Sequence, residues 1–265
     1  MDIKSTGKLI RIINRVAKFS RAGNWLPKMY STAGLALLFL LFLPLNNYNS
    51  TLLIFLVYHA ITLAYAHIIN SVADLKIDVA AGKNFGVTDF PKYAVNLILG
   101  LLAMGMLIIP FFFGGVVFSV GLIVFFLITF YSAEPLRLKT KGIFGLISVS
   151  LVTAALQFLI FVIIINKQFE LGFYLAGFLF LGQLVLEAMH QIDDFENDKK
   201  QDARTWAVRT GKKNAKFFLK ISIMFFGLYH FVSFAFGVWK GGLIFVIVLL
   251  TSIQLIVDSL RVAVN

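Results

Sequence analysis

Cysteine is absent from these 265 residues, and only five are proline. Without a thiol there is no disulfide framework, no thiolate nucleophile and no cysteine-ligated metal. Charge is scarce as well. Asp, Glu, Lys and Arg make up 14% of the chain, against about 25% in a typical soluble domain. Acids are the scarcer sign, 13 against 24 Lys and Arg, for a net charge of +11. In their place the chain is 59% hydrophobic and carries 29 Phe. That composition excludes an ordinary soluble domain.

The apolar residues gather into eight runs, at 29–45, 51–72, 93–110, 112–131, 143–165, 170–190, 216–238 and 242–260. A helix of about 20 apolar residues crosses a hydrocarbon core of about 30 Å, so the runs predict an all-α, polytopic membrane protein. The first 28 residues lack the compact apolar core and small-residue cleavage site of a signal peptide. With the N-terminus in the cytoplasm, the outer links are 46–50, 110–112, 166–169 and 239–241, and they hold only Lys167 and Lys240. The other 22 basic residues fall inside, as the positive-inside rule requires. The positive charge is therefore topology and implies no nucleic acid partner. The expected location is an inner or plasma membrane, with both termini cytoplasmic.

Residues 1–28 carry seven basic residues around an apolar face of Leu9, Ile12, Ile13, Val16 and Ala17. Such a segment reads as a helix lying on the membrane surface or as a basic topogenic tail, and neither carries chemistry. Residues 29–265 then form one transmembrane domain of two four-helix halves, about 29–131 and 143–260.

Two acidic stretches, "NSVADLKID" (70–78) and "HQIDDFEND" (190–198), stand where the second and sixth runs end. Asp74 and Asp194 are 120 positions apart, as are Asp78 and Asp198. Residues at i, i+4 and i+8 stay within about 80° on a helix and climb about 6 Å per step. Asn70, Asp74 and Asp78 thus share one face, and so do His190, Asp194 and Asp198. Facing carboxylate rows beside lipid demand cations, and oxygen donors without thiolate favour Mg²⁺ or Mn²⁺ over zinc. Magnesium commonly bridges one or two carboxylates to substrate phosphates. The residue pattern points to a diphosphate held near the cytoplasmic face.

A departing diphosphate also needs fixed positive charge, and "YSAEPLRLKTKG" (131–142) supplies Arg137, Lys139 and Lys141 beside Pro135. Lys83, Arg204 and Arg209 are further candidates. Glu187 and His190 precede the second row on about its face, where they could position a second substrate or take its proton. His59, His67 and Gln157 lie inside spans, where helix-to-helix hydrogen bonds are the common fate. Asp258 is placed to pair with Arg261.

With these elements in order, the chain resembles the UbiA superfamily of intramembrane prenyltransferases. "NSVADLKID" is similar to that family's NDxxDxxxD motif, with Ser71 replacing the second acid. "DFENDKKQDARTWAVRTG" (194–211) is similar to its second motif through Asp194, Asp198, Thr205 and Gly211, with Asp202 standing where Gly is usual. "YSAEPLRLKTKG" resembles its YSxPPxRxKxxG loop, with Glu134 for the first Pro. The first cytoplasmic loop lacks the RTxxRP sequence of many quinone-forming members. The resemblance implies a helical bundle around a central cavity, with Asn70, Asp74, Asp78, Asp194 and Asp198 holding Mg²⁺. It also implies that Arg137 and Lys139 act on the diphosphate of a polyprenyl donor, with Lys83, Tyr131 and His190 in the same substrate site.

The activity expected is Mg²⁺-dependent transfer of a polyprenyl group to an apolar, aromatic acceptor within the lipid. A terpene cyclase would use the same ionising site without an acceptor. A divalent-cation or proton carrier is the reading from another class, but carriers place such acids near the bilayer midplane.

Overall fold

A backbone crossing hydrocarbon must satisfy its N–H and C=O groups internally, so apolar runs of this length fold as helices. The computed structural model describes residues 14–40, 49–80, 82, 86–166, 169–200, 203–235 and 242–264. One long helix overlaps each of the eight expected runs, the first of them starting seven residues before its run. These are α1 (Ala22–Leu40), α2 (Asn49–Ala73), α3 (Lys92–Phe111), α4 (Gly115–Ser132), α5 (Ile143–Ile165), α6 (Phe169–Asp193), α7 (Lys212–Ala235) and α8 (Gly242–Val264). Among the described residues six of them, α2 to α7, are long and apolar enough to span a membrane.

The helix α2 packs on α1, α3, α4 and α5, whereas α6 packs on α5, α7 and α8. One shared core runs through α1, α2, α5, α6 and α8, with Phe39, Phe55, Phe158 and Phe161 fully buried in it. Helices in lipid gain little from apolar burial alone, so close van der Waals fit has to hold them. Gly121 of α4 shows such a fit: a Cβ there would lie 2.8 Å from the Pro110 ring of α3. On the other side of α3, Leu97, Leu101, Met104, Ile108 and Phe111 are exposed at helical spacing. That stripe is the face expected to meet acyl chains.

The helix α5 carries a π turn at Leu151–Ala155, where the Leu156 N–H reaches the Leu151 carbonyl. Its wider winding leaves the Val152 carbonyl to the Gln157 amide, 2.6 Å away. The Gln157 Oε1 in turn meets Nδ1 of His59 on α2. Both side chains are fully buried, and the pair is the helix-to-helix bond expected of polar residues inside spans.

Where the acids gather, each of two long helices gives way to a short one. α2 is followed by a helix at Leu75–Ala80, and α6 by one at Phe195–Lys200. Asp74 and Asp194 occupy the two junctions. The turns persist through them: Asp74 N–H bonds the Asn70 carbonyl at 3.0 Å, and Asp194 N–H bonds that of His190 at 2.9 Å.

The N-terminal stretch joins this polar end of the bundle. Residues 14–19 are helical, and Phe19 is buried against Ile68, Val87 and Val95. Its ring centroid lies 4.9 Å from that of Phe90, and Lys18 faces Asp89 at 3.8 Å. Helix α1 starts at Ala22, inside the segment read from sequence as residues 1–28.

Candidate functional site

At the polar end a cavity of about 690 Å³ opens between α2, α4, α5 and α6. Asn70, Asp74 and Asp78 line it from α2 and its short extension, and His190, Asp194 and Asp198 from α6 and its own. Tyr131, Arg137 and Lys139 complete the wall, with Arg204 and Thr205 at the second row. Deeper in, Leu63, Ile128, Val149 and Val152 make it apolar. The sequence-predicted acids therefore meet Asn70, Tyr131, Arg137, Lys139, His190 and Arg204 in one place, whereas Lys141 and Arg209 do not line the cavity, and Lys83 and Asp202 lie outside the described residues.

The basic loop reaches the cavity through a tightly specified backbone. The peptide between Glu134 and Pro135 is cis, and Arg137 adopts φ 40°, left-handed for a residue with a Cβ. Such a conformation persists only where its surroundings over-determine it. A 3₁₀ turn at Leu138–Thr140 follows. The turn rests on α5 at Gly145, where a Cβ would stand 2.6 Å from the Leu138 carbonyl oxygen and 2.9 Å from Lys139 Cα. Only glycine admits that approach. From the far side, Arg209 donates to the Thr140 carbonyl, so this expected phosphate candidate braces the loop instead.

The loop's cations converge on the first acidic row. Arg137 Nη2 donates to Asp74 Oδ1 at 2.8 Å, and Lys139 Nζ bonds Asp74 Oδ2. Lys139 also reaches Asn70 Oδ1 at 3.0 Å, an atom that accepts the Ser132 hydroxyl at 2.6 Å. The three charged side chains are 17–23% exposed. Burial lowers the Lys139 pKa from its ordinary value, and the neighbouring Asp74 opposes that fall. Burial likewise lowers that of Arg21, against the charges of Asp78 and Asp74. The N-terminal stretch thus brings a guanidinium within Coulombic reach of the first row. Among the described residues Asp258 pairs with Arg261 at 3.5 Å, as expected, and away from the site.

Several residues in or beside the site were not singled out in the sequence. Ser132 sits inside the quoted loop but has no charge to mark it. Gln191 stands four positions after Glu187, and its amide donates to Glu187 Oε1 at 3.1 Å. That i, i+4 spacing was the available signal. Thr205 Oγ1, Gln191 Oε1 and Arg137 Nε are buried without a hydrogen-bond partner, as suits groups facing a ligand.

Among the described residues no three His, Asp or Glu side chains converge into a ready metal cage. The donor set fits magnesium all the same, because that ion keeps waters and shares substrate phosphates rather than needing an all-protein cage. It fits only oxygen-seeking cations.

Comparison with known proteins gives three results. A digeranylgeranylglyceryl phosphate synthase from Pyrococcus horikoshii is 30% identical over 175 residues, 66% of this chain and 56% of that one. A UbiA homologue from Archaeoglobus fulgidus, solved bound to DMAPP and Mg²⁺, superposes with a TM-score of 0.75 at 17% identity, covering 94% of this chain and 85% of that one. The GPP and Mg²⁺ complex of a UbiA homologue from the same organism gives 0.73 at 16% identity, covering 95% of this chain and all of that one. The UbiA prenyltransferase family model matches residues 29–264, a stretch that contains both acidic rows, the basic loop and every long helix but the first turns of α1. By sequence, by fold and by the cavity they build, this chain belongs to the UbiA prenyltransferase family.

Proposed function

We propose that the protein moves a prenyl group from its diphosphate to a lipophilic acceptor within the membrane, using the cavity between α2 and α6. One observation carries this reading. A single cavity of about 690 Å³ brings two carboxylate rows and two fixed cations to its mouth and apolar walls to its depth. Its size suits a small-ligand site, about 300–1,000 Å³. A diphosphate with a hydrocarbon tail has the same polarity profile.

Asn70, Asp74 and Asp78 on one side, and Asp194 and Asp198 on the other, would hold Mg²⁺, with Mn²⁺ as the nearest substitute. When bound, the metal neutralises the charge that develops on the leaving diphosphate. The chain's own residues do the rest. Arg137 and Lys139 are both engaged by Asp74, so an arriving diphosphate competes for their donors and frees the Asp74 carboxylate. The two side chains then stabilise negative charge as the carbon–oxygen bond breaks. Leu63, Ile128 and Val152 keep the allylic end away from bulk water.

The name of the Pyrococcus relative supports an acceptor bearing glyceryl phosphate over the aromatic one expected from the sequence. The positive-inside pattern supports a cytoplasmic mouth with both termini on that side. The matched junctions at Asp74 and Asp194 support two four-helix halves. The test is diphosphate release by purified protein from a panel of prenyl diphosphates, with Mg²⁺ and with EDTA, beside Asp74→Ala and Asp198→Ala. Metal-dependent release that both substitutions abolish is expected. Release that survives EDTA or both substitutions would overturn the proposal, and product mass separates transfer from cyclisation.

A further inference from the structure

Among the described residues that line the cavity, Glu187 is the one acid that lies well inside a span. It stands seven residues before Asp194 on α6, about 10 Å further along the helix axis. A carboxylate at that depth is costly and is a functional candidate by default. Among the described residues no Lys or Arg lies within ion-pair distance of it. Its partner is the Gln191 amide at 3.1 Å, and Gln191 Oε1 is buried with no partner.

Other polar groups line the cavity below its mouth. Tyr131 of α4 projects into the same cavity, and the charges of both Glu187 and Asp74 act on its phenol. Thr153 and Gln157, at the π turn of α5, line the cavity too. Below the cations and acid rows of the mouth, the lining therefore mixes polar groups with apolar walls. A diphosphate is accounted for by the mouth and a prenyl tail by the walls. Neither explains a carboxylate held by an amide below the acid rows.

We infer that Glu187, positioned by Gln191, is the general base for the acceptor, and that the acceptor's nucleophile is a hydroxyl group. This rests on the prenyl-transfer reading above. The acceptor oxygen forms a bond to C1 of the prenyl group. The bond from C1 to the diphosphate oxygen breaks, with its electron pair leaving on diphosphate. The hydroxyl proton passes to the Glu187 carboxylate. The product is an ether and no redox partner is needed. Before the proton transfer the same hydroxyl hydrogen-bonds to the buried Gln191 Oε1, which orients the acceptor for Glu187.

The experiment incubates the full-length protein in detergent with Mg²⁺ and geranylgeranyl diphosphate. Octadecylglyceryl phosphate, nonylphenol or membrane lipid extract serves as acceptor, and diphosphate, ether and prenyl alcohol are all quantified. Glu187→Gln keeps the shape and a hydrogen bond to Gln191 but removes the base. Ether formation is expected to fall about 10²-fold or more, while diphosphate release continues and the product shifts to prenyl alcohol through capture by water. Glu187→Asp should restore part of the ether, and Gln191→Leu should raise the acceptor KM more than it lowers kcat. Unchanged ether formation in Glu187→Gln would overturn the assignment. So would parallel loss of ether and diphosphate release in a folded Glu187→Gln, which would place the residue in ionisation. Capture by water alone in the unmodified protein, with every acceptor, would overturn the hydroxyl assignment. No diphosphate release at all from the unmodified protein would instead overturn the prenyl-transfer reading, and this inference with it.

Discussion

The contact between Gly145 and the basic loop gives a demanding test, because a single methyl group pressed on the loop backbone should disable the charged ends of two side chains. In Gly145→Ala the new Cβ would stand 2.6 Å from the Leu138 carbonyl oxygen, about 0.8 Å inside the 3.4 Å at which ordinary contact begins. The obstructing atoms are backbone, so no side chain can rotate away. Either the loop lifts from α5 or α5 shifts. Overpacking of this kind costs about 1–3 kcal/mol of stability. The loop carries Lys139 and Arg137 to Asp74 through bonds of 3.0 Å or less, and a shift approaching 1 Å breaks that register. Misplacement by about 1 Å can lower a rate about 100-fold, so kcat/KM for the prenyl diphosphate should fall 10- to 100-fold, about 1.4–2.7 kcal/mol of barrier. The control is Gly100→Ala on α3, where nothing lies within 4 Å of the new Cβ. That variant should keep full activity and gain up to about 1 kcal/mol of helix stability. Diphosphate release and thermal unfolding, measured on both, decide the matter. Wild-type kcat/KM in Gly145→Ala would refute the idea that glycine is required to seat the loop.

Asp74→Asn should lower release about 10³-fold and destabilise the protein by about 2–3 kcal/mol, since two largely buried cations lose their shared carboxylate; urea titration and the release assay measure the two effects. Gln157→Leu leaves His59 Nδ1 and the Val152 carbonyl without their partner and should cost about 1–3 kcal/mol. A double-mutant cycle with His59→Phe should then show coupling of at least about 0.5 kcal/mol, and strict additivity would argue against the bond. Phe19→Ala removes a ring buried against Ile68, Val87 and Val95 and should cost about 3 kcal/mol. Faster proteolysis near residue 20, with α2 to α7 still intact by circular dichroism, is the expected signature of an undocked N-terminal stretch.

Helix positions were legible because lipid imposes a length and a composition on each span. The run read at 143–165 coincides with α5, and those at 93–110 and 170–190 end within three residues of α3 and α6. The acidic rows were legible for a related reason: helical spacing of carboxylates beside apolar runs leaves few innocent explanations. The π turn was not legible, since "LVTAA" carries no mark distinguishing it from ordinary helix. Neither was the docking of Phe19, one aromatic among 29 Phe, whose burial depends on a surface assembled from α2, α3 and the loop between them.

The sequence by itself determined which residues could carry charge in an apolar chain, and on which helix faces they stand. Local periodicity and the cost of charge near hydrocarbon act along the chain and need no partner. The tertiary structure decided how those faces meet. Asp74 finds Arg137 and Lys139 from more than 60 positions away, Arg209 turns from phosphate candidate to loop brace, and Glu187 is left with an amide for company at cavity depth. Those outcomes depend on which helices pack together and how closely, and Gly145 permits the closest of the loop's approaches by lacking one methyl group.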